Sequence, residues 1–228
     1  MVVIVIVAAL APIVVPIVDR SRDDAEITVA RASMKTIAEA VTGSAAGTGY
    51  LADMKPVPGF QASALRVHDL FSPSSHPQYA IYDPVAARGW RGPYLRPGVG
   101  AANLESSRNG WFPEAGDRRS AGDTTFLERG FFTNASSSPY GIPGDLTLGD
   151  PWGNPYVIQT PPQSAFAGST GDAKRFRYSR VLSAGADGVL TTPADRLAGM
   201  QADGLSPARG DDLVLFLNRA DVYEDEEP

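Results

Sequence analysis

The first eighteen residues, MVVIVIVAALAPIVVPIV, contain no charged or polar side chain. A helix that crosses a bilayer needs about 20 apolar residues, within a range of about 17–25. Residues 1–18 therefore predict a transmembrane or filament-core helix. They do not read as a cleaved signal peptide, because a basic n-region and a small-residue cleavage site are both missing. Pro12 and Pro16 each remove a backbone donor and crowd the preceding turn. Lipid or a packed helix core tolerates such interruptions better than water does. Arg20 and Arg22 lie beside Asp19, Asp23 and Asp24, so the flanking charges do not set an orientation.

The apolar run passes into a segment of different character, residues 19–45. Ile27, Ala30, Met34, Ile37 and Val41 recur at spacings of 3, 4, 3 and 4, which places them on one stripe of a helix. Glu26, Arg31, Lys35 and Glu39 fall off that stripe, and Gly43, Gly47 and Gly49 predict its end. A continuous helix of this extent would be ~60 Å long at 1.5 Å per residue. Its amphipathic half can pack on the chain's own globular domain, whereas its all-apolar half needs lipid or other copies of itself.

Residues 46–228 predict one globular domain. The 23 glycines and 19 prolines favour turns and short strands over a helical bundle. The chain has no cysteine, which excludes disulfides, thiolate metal sites and cysteine nucleophiles. Its net charge of −6 and the lack of a basic patch argue against nucleic acid as a partner. The tail from Asp221 to Pro228 carries five carboxylates in eight residues and reads as a solvated terminus.

Within this part, inserted loops are expected over about 96–149. Candidate short elements are Ala62 to Phe71, Tyr79 to Tyr82 and Thr124 to Phe132. Trp152-Gly153-Asn154-Pro155 signals a turn. Tyr156 to Gln159 reads as a strand, and Leu213 to Leu217 as a buried one. Arg175 to Ser183 alternates, with Phe176, Tyr178 and Arg180 on one side and Arg177 and Ser179 on the other. A small C-terminal antiparallel sheet packed on the amphipathic helix gives an α+β fold.

Four stretches occur in a telling order: Met1 to Pro16, then WRGPYL at Trp90 to Leu95, DPWGNPY at Asp150 to Tyr156, and SAGADG at Ser183 to Gly188. Together they resemble the major pseudopilins of type II secretion, within the type IV pilin-like superfamily. The likeness covers about the first 45 residues plus these motifs. It implies a non-enzymatic structural subunit that polymerises through its N-terminal helix into a periplasmic pseudopilus and supports protein export. The implied location is a single pass of the inner membrane with a periplasmic C-terminal domain. The implied partners are other copies of itself, other pseudopilins, the inner-membrane assembly platform and the prepilin peptidase. The sequence starts a few residues inside the family's mature N-terminus. Either a basic leader ending in Gly-Phe, with a nearby Glu, lies upstream of Met1 and the prepilin peptidase acts on it, or the chain is not processed normally. A signal-anchored periplasmic binding domain, or a type IV pilin or minor pseudopilin, is the alternative.

The resemblance also implies calcium. By carry-over, Asp187 and Asp212 would supply side-chain ligands, with Asp211 as an alternative to Asp212 and carbonyls near Ser183 and Val189 contributing. Asp195 and Asp203 lie in the intervening loop. Calcium takes six to eight oxygens from carboxylates, carbonyls and water. On the residues alone the other reading stays open, with Asp187 shaping a turn and Asp211 and Asp212 capping a strand. WRGPYL and DPWGNPY read as turns anchored by Trp90, Tyr94, Trp152 and Tyr156.

No catalytic constellation is visible. His68 and His76 are the only histidines, and HExxH, G-x-S-x-G and P-loop patterns are all missing.

Overall fold

The computed structural model describes residues 2–44, 47–55, 61–62, 65–73, 81–96, 101–103, 145–161, 171–186, 188, 192 and 212–217, with residues 2–19, 101–103 and 172–174 given by their backbone alone. Helix α1 spans Val2–Thr42 without a break. Gly43 ends it in the left-handed region at φ 96°, where a residue without a Cβ pays no steric cost. Strands β1 (Gly43–Ser44) and β2 (Gly47–Thr48) then form a small antiparallel pair. Helix α2 (Tyr50–Met54) and a 3-10 turn (Val67–Leu70) follow.

Two further sheets complete the described fold. Strand β3 (Ala101–Asn103) pairs antiparallel with β4 (Leu146–Leu148). Strands β5 (Val157–Gln159), β6 (Arg180–Ser183) and β7 (Leu213–Phe216) form a three-stranded antiparallel sheet in that order. Helix α3 (Asp172–Arg177) leads into β6. The chain is α+β, and α1 packs on β6 and β7.

The core lies where the apolar stripe of α1 meets this sheet. Ala30, Met34, Ile37 and Val41 are fully buried, and the last three join Tyr156, Ile158, Val181 and Leu217 in one cluster with α2 and the 3-10 turn. Each such aliphatic side chain contributes about 1.5–3 kcal/mol on burial. Ile27, the first member of the stripe, is only half-buried, and residues 20–25 are exposed. The docked part of α1 therefore begins near Ala30, where the Tyr156 hydroxyl also donates to the Ala30 carbonyl at 3.3 Å. Among the described residues, no helix is long and apolar enough to cross a membrane.

Several expectations need correction. The Arg175 to Ser183 alternation is not one strand. Its first half lies in α3, closed by bonds from the Tyr178 N–H to Arg175 O and from the Ser179 N–H to Phe176 O. Arg is a good helix former, and with Phe176 as the lone buried apolar residue of that half, a period of two cannot be told from one helical turn. The remaining strand, β6, is central in its sheet and buried on both faces, so it does not alternate. Strand β7 is half-buried because it lies at the sheet edge, and only Leu217 beyond it is buried. The Ala62 to Phe71 element is the 3-10 turn with a single turn at Ala62. Thr124 to Phe132, Tyr79 and Ala80 lie outside the described residues, and Ile81 and Tyr82 are not in a strand.

Candidate functional site

The DPWGNPY and SAGADG motifs meet in one buried polar knot centred on Asp150. The Asx pattern Asp-Pro-Trp-Gly-Asn makes this local. Oδ1 of Asp150 accepts the N–H of Trp152 at 3.1 Å and that of Asn154 at 2.7 Å, while the Asp150 N–H donates to Asn154 O at 2.7 Å. From β6, the Ser183 hydroxyl donates to Asp150 Oδ2 at 2.6 Å. Asn154 Nδ2 donates to the Gly185 carbonyl at 2.7 Å, and the Gly185 N–H donates to Ser183 Oγ at 3.2 Å. Burial pushes the Asp150 carboxyl above its ordinary range, against the donors from Ser183, Asn154 and Trp152 that pull it down. The turn closes at Gly188, whose φ is 65° and where a Cβ would stand 2.9 Å from Asn154 Oδ1.

Asp212 lies at the start of β7, next to Leu213, the register partner of Ser183. Its Oδ2 accepts the Thr192 N–H at 2.6 Å and the Thr192 hydroxyl at 2.7 Å. Thr192 in turn offers its carbonyl to Gln159 Nε2 at 3.2 Å. The segment between β6 and β7 is thus pinned near its start to both ends of the sheet. Gln159 Oε1 also accepts from Nε of the buried Arg180 at 2.7 Å.

Of the expected calcium ligands, Ser183 and Asp212 are described and lie at one end of the β6–β7 pair. Asp187, Asp211 and Val189 lie outside the described residues, as do Asp195 and Asp203. The Ser183 hydroxyl is committed to Asp150, which sequence reasoning did not single out as a site residue. The donors offered here are all oxygen, the ligand type that hard cations take. Among the described residues, no group of three or more His, Cys, Asp or Glu side chains gathers as a metal site.

The second motif, WRGPYL, builds a separate cluster against α2. Arg91 donates through Nε to Asp53 Oδ2 at 3.1 Å and through Nη2 to Asp53 Oδ1. The Tyr94 hydroxyl donates to Asp53 Oδ2 at 2.7 Å. The Arg91 guanidinium lies over the Tyr82 ring, 4.4 Å from its centre, a cation–π placement. Trp90 Nε1 donates to Asp69 O at 3.0 Å, and Tyr94 meets Tyr50 and Trp90 edge to face. Burial raises the Tyr94 hydroxyl well above the ordinary phenol range. Trp90, Tyr94 and Tyr156 pack on the core as anchors, whereas Trp152 is half-buried and holds the Asp150 turn through its backbone. Beside Arg91 opens a cleft of ≈ 450 Å³ between α1 and this loop, lined among others by Thr36, Glu39, Thr48, Asp53, Arg91 and Tyr94.

In both clusters a buried carboxylate gathers donors from a neighbouring loop or strand: Asp150 from Asn154 and Ser183, and Asp53 from Arg91 and Tyr94. In comparisons with known proteins, no family model, no curated protein and no solved structure matches the chain.

Proposed function

We propose that the chain is a filament-forming, membrane-anchored subunit of the type II pseudopilin kind, with a pilin-like fold. The observation that carries the reading is the two-part use of α1. One 41-residue helix docks on the antiparallel sheet through Ala30 to Val41, and residues 20–25 are exposed. The apolar run at residues 1–18 then serves first as an inner-membrane anchor and later as the buried seam between copies in a periplasmic filament. Its partners are other copies, other pseudopilins, the assembly platform and prepilin peptidase.

Calcium belongs to this proposal. Asp212 with Asp187, or with Asp211 in place of Asp212, and carbonyls near Ser183 and Val189 would hold it. The cation would then brace the β6–β7 connection that Thr192 pins from within.

Single cysteines placed along residues 1–40 test the reading. Crosslinks between copies at positions facing one helical seam are expected. If no position crosslinks between copies, the filament reading fails. The ≈ 450 Å³ cleft beside Arg91 favours a second reading, an anchored periplasmic binding domain, which predicts a monomer that never crosslinks.

A further inference from the structure

Among the described residues, the large apolar side chains that stand exposed are Val29, Ile81 and Val85. Ile81 and Val85 belong to one loop, at 87% and 95% exposure, so neither adds to the core. The loop is nevertheless well braced. Its base is closed by the Asp83 N–H, which donates to Arg88 O at 2.8 Å, and by the Arg88 N–H, which donates to Asp83 O at 3.2 Å. Inside it, Asp83 Oδ1 accepts the Val85 N–H at 2.9 Å and the Ala86 N–H at 3.1 Å. Ala87 takes φ 47°, a conformation that residues with a Cβ rarely adopt. The chain leaving the loop is tied down by the Gly89 N–H, which donates to Asp53 O at 2.9 Å, and by Arg91 over the Tyr82 ring. A loop braced in this way, with two aliphatic side chains in water, is preordered for contact.

Val29 lies on the solvent face of α1, and Ala25 and Ala32, four residues before it and three after it, are exposed beside it. Arg22, Glu26 and Val29 follow spacings of 4 and 3, so the pair in which Arg22 Nε donates to Glu26 Oε1 at 2.9 Å borders the same strip.

We propose that the 81–88 loop docks on the Val29 face of α1 in a second copy of the chain, with Ile81 and Val85 against Ala25, Val29 and Ala32. Charge complementarity selects this occupant. The loop carries Asp83 and Arg88 at its base, and the helix carries Arg22 and Glu26, so Arg88 meets Glu26 and Asp83 meets Arg22. Asp83 keeps its charge, because the N–H groups of Ala86 and Val85 hold its carboxyl below the ordinary range. The donor loop and the receiving face are different surfaces of one chain, so the contact is head-to-tail and repeats from copy to copy. The inference rests on the filament reading, to which it adds a contact between the globular part of one copy and the helix of the next.

The chain has no cysteine, so oxidative crosslinking reads one engineered pair at a time. Full-length copies carrying only Val85→Cys are co-assembled in lipid vesicles with copies of a different tag length carrying only Val29→Cys, and then oxidised. A mixed product is expected at about tenfold the yield of Val85→Cys with Lys35→Cys, Lys35 being exposed on a different side of α1. Arg88→Glu in the first copy should cut the mixed product about tenfold, and Glu26→Arg in the second should restore it. A mixed product no greater than the Lys35→Cys control, while single cysteines within residues 1–18 do crosslink between copies, overturns the docking and leaves the filament reading standing. If neither crosslinks, both fall. A mixed product that Arg88→Glu leaves unchanged overturns the docking as well.

Discussion

The Ser183 hydroxyl donates to Asp150 Oδ2 at 2.6 Å, joining the end of β6 to a turn 33 residues earlier in the sequence. Both groups are buried, so the bond works away from competing water. Ser183→Ala would leave a buried carboxylate oxygen short of a donor, at a cost of about 1–3 kcal/mol. Urea unfolding of the full chain in micelles measures this. A change within error would mean that the knot does not hold the sheet end.

The titration of Asp150 gives a pH prediction. Burial raises its folded-state pKa above the ordinary 3.8. A carboxyl with a raised folded pKa favours the folded state below 3.8 and loses that contribution as pH rises through the folded value. The Asp150 contribution to stability should thus decline from acid toward neutral pH. Asp150→Asn should flatten that component in unfolding curves taken across the window. A variant that keeps the wild-type slope would show that the donors outweigh the burial.

Gly188 lies at φ 65°, with Asn154 Oδ1 2.9 Å from where a Cβ would sit. Gly188→Ala adds left-handed strain of about 1–2 kcal/mol and presses on the side chain that bridges to Gly185. A lowered unfolding midpoint is expected, larger than that of Gly171→Ala, where a Cβ meets open space.

The docked third of α1 should dominate stability. Ile37 is fully buried in the core cluster, so Ile37→Ala should cost about 2–5 kcal/mol. Val29 is 56% exposed on the same helix, and Val29→Ala should stay within about 0.5 kcal/mol. Equal losses at both positions would contradict the seam described above.

Calcium should raise the melting temperature of the chain, and chelation should lower it. Asp187→Ala and Asp212→Ala should each abolish the response. A response that survives both substitutions removes these residues from the site.

The parts legible in the sequence were those with a local period. The stripe from Ala30 to Val41 declared the docking face of α1, and Val157–Gln159 and Leu213–Phe216 read as strands because apolar residues cluster there. Asp150 was hidden because an Asp before Pro looks like an ordinary turn former. Only the fold brings Ser183 to its second oxygen. The Asx spacing from Asp150 to Asn154 was the available signal. The Arg66–Asp145 and Arg91–Asp53 pairs join residues 79 and 38 apart, and no periodicity encodes such distances.

Helix α1 is gripped along a short seam, Ala30 to Val41, while 28 of its residues precede that seam. At 1.5 Å per residue the seam is about 17 Å long and the remainder about 42 Å. Such proportions make a lever. A tilt of about 5° at the seam displaces the far end by roughly 4 Å over that length, close to the spacing of packed side chains. A small repacking beneath Tyr156 or Ile37 would therefore shift the distant backbone of an otherwise straight helix by about that distance.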